Sequence, residues 1–237
     1  MAPSQVKLAK YIANLGYGSR REVTSMVNAG RVTLKDGSAL VEGDSFEHGD
    51  ILFDSEQLDP PPGSLLMMHK PVGYVCSTKG GAPLIYDLLP ERFRARSPVM
   101  APIGRLDLDS SGLLLLTDDG HVNHRITSPR THLPKVYETQ LANVLRGDEA
   151  ALFASGTMLL ESETQPLKPV KLEVIGDNMV RVTLTEGRYH QVRRMFAAVG
   201  NHVVTLRRTG IGGLEIGDLP SGEWRLLDPA ERTLLLD

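Results

Sequence analysis

The chain has 237 residues, 41% hydrophobic and 23% charged, which is enough to bury the core of one large domain or of a small and a medium one. Its single cysteine, Cys76, excludes an internal disulfide framework and a multi-cysteine zinc site, and no N-terminal apolar segment resembles a signal peptide or membrane span, so a cytosolic address is expected. A formal net charge of -3 hides any local separation of sign, so the charges are read segment by segment.

From Val6 to Leu15 the apolar residues Leu8, Ile12 and Leu15 recur at helical spacing, and Gly16 and Gly18 end the pattern. Ser19-Arg-Arg-Glu22 reads as a capping box for a second helix with Val23, Met26 and Val27 on one face and Gly30 as its stop. Arg31 to Leu34, Ala39 to Val41 and Ile51 to Phe53 read as strands, the first two flanking a turn at Lys35 to Ser38. Residues 1 to 31 carry Lys7, Lys10, Arg20, Arg21 and Arg31 against Glu22 alone, and the strands that follow are acidic. A basic helix pair backed by an acidic sheet suits docking on phosphate, although charge alone leaves an ordinary solvated helix pair open.

Gln57 to Ser64, with three prolines at 60 to 62, reads as a stiff, extended linker. In Met68 to Ser77 a strand-like run is interrupted by Pro71, which predicts an edge strand or an irregular turn. Residues 80 to 102 are rich in Gly, Pro and Arg and are expected to be loop, with a short helix near Tyr86 to Leu89. Arg92, Arg94 and Arg96 there suit either a phosphate contact or a mobile surface loop.

The stretch from Ile103 to Gly120 holds two acids and an arginine against an apolar run. If Gly104 to Asp109 is extended, alternation puts Arg105, Asp107 and Asp109 on one face, toward a cleft. Leu113 to Leu116 should be buried behind them. Pattern alone keeps a plainer reading open, a buried strand followed by an acidic turn at Asp118-Asp119-Gly120. Between Gly120 and Tyr137 there is no acid, while Arg125, Arg130 and Lys135 are joined by His121, His124 and His132. His121 and His124 could share a helix face, but without a third ligand in register no metal is expected. Lys135 to Leu141 alternates as a strand with Lys135, Tyr137 and Thr139 on one face; Tyr137 is either core or a flat surface for a base.

Met179 to Leu184 reads as a strand, and Val192, Met195, Phe196 and Val199 as the buried stripe of a helix ending at Gly200. From Gly187 to Leu214 there are five arginines, Arg188, Arg193, Arg194, Arg207 and Arg208, and no acid, a pattern that suggests an anionic ligand. The tail reads as a closing strand near Trp224 and a capped terminal helix from Asp228.

Two resemblances run through these segments. S-R-R-E-V-T-S-M-V-N-A-G-R-V-T-L-K-D-G, with Gly49-Asp50-Ile51 later, resembles the S4 RNA-binding domain. G-R-L-D-L-D-S-S-G-L-L-L-L-T-D-D-G, with H-K-P-V-G-Y upstream, K-V-Y downstream and E-G-R-Y-H-Q-V-R-R-M later, resembles the RsuA/RluB branch of the pseudouridine synthases, nearly to the end of the chain. The short length, the lack of a basic tail, N-H-R-I-T-S-P-R and M-F-A-A-V-G-N-H-V look most like the members acting on 16S rRNA. His69 stands where the family usually has Asn, and Ser110-Ser111 where Thr-Ser or Thr-Thr is usual.

The resemblance implies an isomerase that needs no cofactor or metal and acts as a monomer on ribosomal RNA or a partly assembled small subunit. It implies Asp107 as the catalytic aspartate, Tyr137 stacking on the base, Arg193 pairing with Asp107, and Arg105 helping to expel the target nucleotide. Lys7, Lys10, Arg20, Arg21, Arg31, Arg125, Arg130, Arg188, Arg194, Arg207 and Arg208 are expected to meet RNA. The expected fold is α+β: an S4-like module to residue 58, a proline-rich linker over 59 to 64, and a catalytic domain from 65 to 237 on a mixed, largely antiparallel sheet. The rival functions are a 23S rRNA synthase of the same branch, a non-catalytic S4-type RNA-binding protein, and a serine hydrolase using Ser110 or Ser111. The last lacks the G-x-S-x-G elbow.

Overall fold

The computed structural model describes residues 7–128 and 131–236. In chain order the elements are α1 (Leu8–Asn14), α2 (Arg20–Asn28), β1 (Val32–Leu34), β2 (Ile51–Phe53), β3 (Glu56–Gln57), β4 (Leu65–Lys70), α3 (Glu91–Ala95), β5 (Ala101–Ile103) and β6 (Ser111–Thr117). They continue as α4 (Gly120–Thr127), β7 (Lys135–Leu141), α5 (Glu149–Ala154), β8 (Lys171–Val174), β9 (Met179–Leu184), α6 (Gln191–Ala198), β10 (Val203–Ile211), β11 (Leu214–Glu215), β12 (Trp224–Leu226) and α7 (Pro229–Leu236).

The N-terminal module packs α1 and α2 on the small antiparallel sheet β1-β2-β3 around Leu8, Ile12, Leu15, Val23, Val32, Leu40 and Ile51. The Ser19 hydroxyl accepts from the Glu22 amide and Glu22 accepts from the Ser19 amide, closing the capping box that starts α2. No strand forms at 39 to 41, where only a bridge from Ala39 to Thr33 remains. Asp36 takes the Ser38 amide and Asp44 takes the Val41 amide, so side chains meet backbone donors that a strand would have put into a ladder.

The larger unit is one mixed sheet in the order β12-β4-β6-β10-β7-β9-β8, with β5 on β6 and β11 on β10. The β6–β10 pair is parallel, and the other described pairs are antiparallel. Helices cover both faces. In β4 and β6 the residues Leu66, Met68, Leu114 and Leu116 join the core that holds Phe153 and Phe196, whereas Leu65, Met67, Leu113 and Leu115 join the one that holds Ile126 and Leu235. A strand buried on both faces reads as an unbroken apolar run, which accounts for Leu113 to Leu116. Of the two readings of Pro71 the turn holds and the edge strand does not: β4 is an inner strand between β12 and β6, and the proline follows its last residue, Lys70, at the start of a turn, so its missing N–H falls outside the ladder. Gly112 (φ +108°) fits because β10 crosses so closely that a Cβ there would lie 2.1 Å from the Arg208 carbonyl oxygen.

The proline segment is folded onto the larger unit and does not stand free as a spacer. Arg96 donates to the Pro60 carbonyl (2.7 Å), the Gly63 amide donates to Asp118 (2.8 Å), and Asp59 takes a two-pronged contact from Arg92. Arg96 and Asp118 form a 3.0 Å ion pair with both side chains buried. Arg94 pairs with Asp87. All three arginines of the 80 to 102 segment therefore brace the protein itself. Asp118 is part of this clasp and Asp119 caps α4, so the expected acidic turn is two structural carboxylates.

Candidate active site

The loop from Gly104 to Ser110 joins β5 to β6 and forms one wall of a cleft of about 610 Å³. The loop is not a strand: Leu106 is buried while Leu108 is 50% exposed, and the Ser110 amide turns back to the Asp107 carbonyl. Arg105, Asp107 and Asp109 therefore do not share a face. Asp107 and Arg105 line the cleft, and Asp109 turns outward to Arg193.

What fixes this loop is a fully buried lysine. Lys70, the last residue of β4, donates to the carbonyls of Pro71 (3.0 Å), Asp107 (3.0 Å) and Ser110 (2.7 Å). Burial pushes its pKa below the ordinary lysine value, against the opposing charges of Cys76, Asp107 and Asp109. From beneath, the Leu106 amide reaches the Cys76 sulfur at 3.5 Å, and burial raises that thiol's pKa. The Asp107 carboxylate meets the His190 ring, Nε2 to Oδ1 at 3.3 Å, with each side chain about one-third exposed.

The expected Arg193–Asp107 pair is corrected: Arg193 holds Asp109 through Nη2 (2.9 Å to the carboxylate, 3.2 Å to the carbonyl), and its Nη1 donates to the Val203 carbonyl. Rooted in α6, Arg193 holds Asp109 between the two carbonyls, of Asp107 and Ser110, that Lys70 binds, so both cations act on the same stretch of the loop. Tyr137 is 9% exposed in the cleft wall, directly across the β7–β10 ladder from Arg208, so both side chains lie on the same face of the sheet. Lys135 and Lys168 line the same cleft; burial, then the charges of Arg208 and Lys168, lower the Lys135 pKa.

The cations expected to meet RNA divide sharply. Lys7, Lys10, Arg20 and Arg21 are exposed on the helix pair and form no ion pair among the described residues, nor does Arg125 on α4. Arg31 is held by Asp54 in a two-pronged pair, with its Nε at 2.8 Å. Arg130 lies outside the described residues. Arg188 is bound by Glu163, Glu186 and the carbonyls of Gln165 and Pro166, and Arg194 by Glu163 and the carbonyls of Tyr189 and Glu161. Arg208 is buried, with Nε on the Leu113 carbonyl. Arg207, half-buried on β10, has no side-chain partner among the described residues. The acid-free run from Gly187 to Leu214 thus does not mark a free anion site for most of its arginines: their carboxylates come from Glu186, just before the run, and from Glu163 and Asp109, which sequence adjacency does not reveal.

Among the described residues no three His, Cys, Asp or Glu side chains gather as metal ligands, and no helix is long and apolar enough to cross a membrane. Neither Lys70 nor His190 has a role that the sequence pattern assigns. A lone lysine ending an apolar strand is the available signal for the first; nothing in the spacing points to the second.

Residues 64–198 match the family model described as RNA pseudouridylate synthase. The chain is similar to the ribosomal small subunit pseudouridine synthase A of Escherichia coli strain K12, 43% identical over 95% of this chain and 98% of that one. It is also similar to the Pasteurella multocida protein of the same name, 39% identical over 95% and 97%. A crystal structure of a pseudouridylate synthase superposes with a TM-score of 0.70 at 37% identity, covering 98% of this chain and all of that one.

Proposed function

The chain belongs to the RNA pseudouridylate synthase family, and from that premise we propose that it isomerises a uridine of small-subunit (16S) ribosomal RNA to pseudouridine without a cofactor. In this reaction the N1–C1′ bond breaks, the base rotates, C5 bonds to C1′, the C5 proton leaves and N1 gains a proton. Atoms and redox state are conserved, so the requirements are a carboxylate beside the sugar, a flat wall for the loose base and a pocket that keeps water out.

One observation carries the reading: Asp107 stands partly exposed on a loop segment that Lys70 and Arg193 both grip, in the same cleft wall as the buried ring of Tyr137. In the proposed mechanism the Asp107 carboxylate acts on the intact nucleotide, either adding to C1′ as the N1–C1′ bond breaks and leaving again when C5 bonds to C1′, or stabilising the positive charge on the sugar without a bond; Tyr137 stacks on the detached base and takes the C5 proton. Arg193 acts through Asp109 to position the loop. Arg105, exposed at the rim and without an ion-pair partner among the described residues, helps to expel the uridine from its stack. Unstacking a base costs a few kcal/mol, which contacts to the backbone offset.

Those contacts are assigned to Arg105, Arg125, Lys135 and Lys168 around the cleft and to Lys7, Lys10, Arg20 and Arg21 on the N-terminal module. We read residues 1 to 58 as an S4-like anchor and 65 to 237 as the catalytic domain, joined by 59 to 64. Every group invoked comes from one chain, so a monomer suffices, and an rRNA substrate implies action in the cytoplasm.

The test is release of tritium from RNA labelled at C5 of uridine, followed by mapping of pseudouridines in rRNA from a deletion strain. Tritium release and the loss of a single 16S pseudouridine are expected. Loss of a 23S site with 16S intact overturns the substrate, and absence of release with tight RNA binding favours a non-catalytic binding protein.

A further inference from the structure

We propose that the stacked rings of Tyr189 and His190 form a platform for a second nucleobase, the immediate neighbour of the flipped uridine in the RNA strand. The proposal rests on the RNA-isomerase reading and adds a base-binding subsite to it.

Tyr189 is 73% exposed, yet it lies in the lining of the cleft that holds Asp107. Its ring stacks on that of His190 with centroids 3.9 Å apart and planes 15° apart, and no other ring packs on it among the described residues. One face of the pair is therefore covered and the other is open. His190 sits at φ 49°, ψ 33°, a left-handed conformation that a side chain other than Gly adopts only where its surroundings enforce it.

The surroundings are unusually firm for a surface loop. Arg194 donates to the Tyr189 carbonyl and to Glu163; Arg188 donates to Glu163 and Glu186; the Arg188 amide donates to Gln191. With the backbone braced in this way and the ring stacked on His190, the Tyr189 side chain loses little conformational freedom when a ligand stacks on it.

The occupant follows from position and charge. His190 touches the Asp107 carboxylate at 3.3 Å, so the platform stands one side chain away from the reacting nucleotide. Pulling a uridine out of a strand strips its neighbour of a stacking partner, and a flat ring beside the cleft replaces it. Arg105, Lys135 and Lys168 line the same cleft and suit the phosphates between two such bases. Stacking of this kind contributes about 1–3 kcal/mol per base and tolerates any base identity. Arg188 and Arg194, whose sequence pattern suggested phosphate contacts, then serve RNA indirectly, by holding the platform.

The experiment uses an RNA fragment of the small-subunit rRNA, intact or with an abasic site on either side of the target uridine, and full-length Tyr189→Ala, Tyr189→Phe and Tyr189→Trp. Equilibrium binding and single-turnover tritium release are measured separately. Tyr189→Ala should weaken binding about tenfold, which corresponds to about 1.4 kcal/mol, with Phe and Trp retaining it. One abasic site should cost the wild type the same tenfold and cost Tyr189→Ala nothing further. A 2-aminopurine at that position should be quenched by the wild type and not by Tyr189→Ala. Unchanged binding by Tyr189→Ala, or an abasic penalty equal in both proteins at both flanking positions, overturns the platform. An active enzyme with ring-independent binding sinks the platform alone; ring-dependent binding without tritium release sinks the isomerase reading alone.

Discussion

The ammonium of Lys70 stands 3.0 Å from the carbonyl oxygen of Asp107, so the backbone of the proposed catalytic acid is fastened by a charge with no exposure to solvent. Replacing Lys70 with Met keeps most of the length of the side chain, short of the ammonium, and removes three donated hydrogen bonds at once. Each buried acceptor left without a partner costs roughly 1–3 kcal/mol, so a loss of about 3 kcal/mol or more is expected in urea unfolding. Turnover should fall further than RNA affinity, because the loop shifts while the cationic surfaces stay. A Lys70→Met protein with native turnover would show that the loop holds its shape without the clamp.

Asp107→Asn should abolish isomerisation while RNA binding changes little, since the substitution keeps size and polarity and removes the charge. Asp109→Asn is the informative partner. It weakens the 2.9 Å ion pair to Arg193 but leaves the bonds of Arg193 to the Asp109 and Val203 carbonyls, so a partial loss of rate is expected. An inactive Asp109→Asn beside an active Asp107→Asn, in tritium release under single turnover, would mean that the wrong acid has been assigned.

Tyr137→Phe keeps the buried ring and removes only the hydroxyl. Base binding should be retained and turnover slowed, because the proposed path for the C5 proton loses its acceptor. Full activity would confine Tyr137 to stacking. Measuring the rate with protium and deuterium at C5 separates these outcomes, since a slow proton transfer enlarges the isotope effect.

Much of this architecture was legible because it is periodic. The alternation in Lys135 to Leu141 and Met179 to Leu184 gives β7 and β9 residue for residue, and the spacing of Val192, Met195 and Phe196 marks the buried stripe of α6. The Ser19–Glu22 capping box was likewise readable, since its whole chemistry lies within four residues. Apart from the strand expected at 39 to 41, which local carboxylates displace, what failed was decided by partners far along the chain. The extended reading of Gly104 to Asp109 could not anticipate a lysine 37 residues upstream gripping the Asp107 carbonyl. The count of unopposed arginines after Gly187 could not see Glu163 and Asp109 arriving through space.

Among the described residues Lys7, Lys10, Arg20 and Arg21 on the helix pair of the N-terminal module form no ion pair, while Arg31 is already held by Asp54. Changing the four to Gln should reduce the salt dependence of RNA binding by about one unit of slope for each phosphate that is no longer neutralised. The single-turnover rate at saturating RNA should change much less, because no group of the cleft is altered. A salt titration of binding beside single-turnover kinetics checks both; an unchanged slope would remove the module from the RNA interface. Substitution is preferable to truncation here, since Arg96 and Asp118 are buried against the proline segment that a truncation would cut.

Glu163 joins Arg188 to Arg194 and so holds the loop that carries Tyr189 and His190. The hydrogen bond from Arg194, outweighing burial and reinforced by Arg188, keeps its carboxyl below the ordinary value of 4.5. A depressed acid pKa adds stability that is fully present above 4.5 and is lost as pH falls through the lower folded-state value. Glu163→Gln should therefore be less stable than the wild type near neutral pH, with the difference in urea midpoint shrinking as pH drops below 4.5. Comparing the two proteins at each pH cancels the general acid sensitivity contributed by Glu149, Glu231 and other carboxylates held below their ordinary values. RNA affinity at neutral pH should fall in Glu163→Gln as well, because the slackened loop no longer presents the Tyr189 ring at a fixed angle. A stability difference that stays constant through acid pH would show that the carboxylate charge contributes nothing to the brace and that packing alone holds the two arginines.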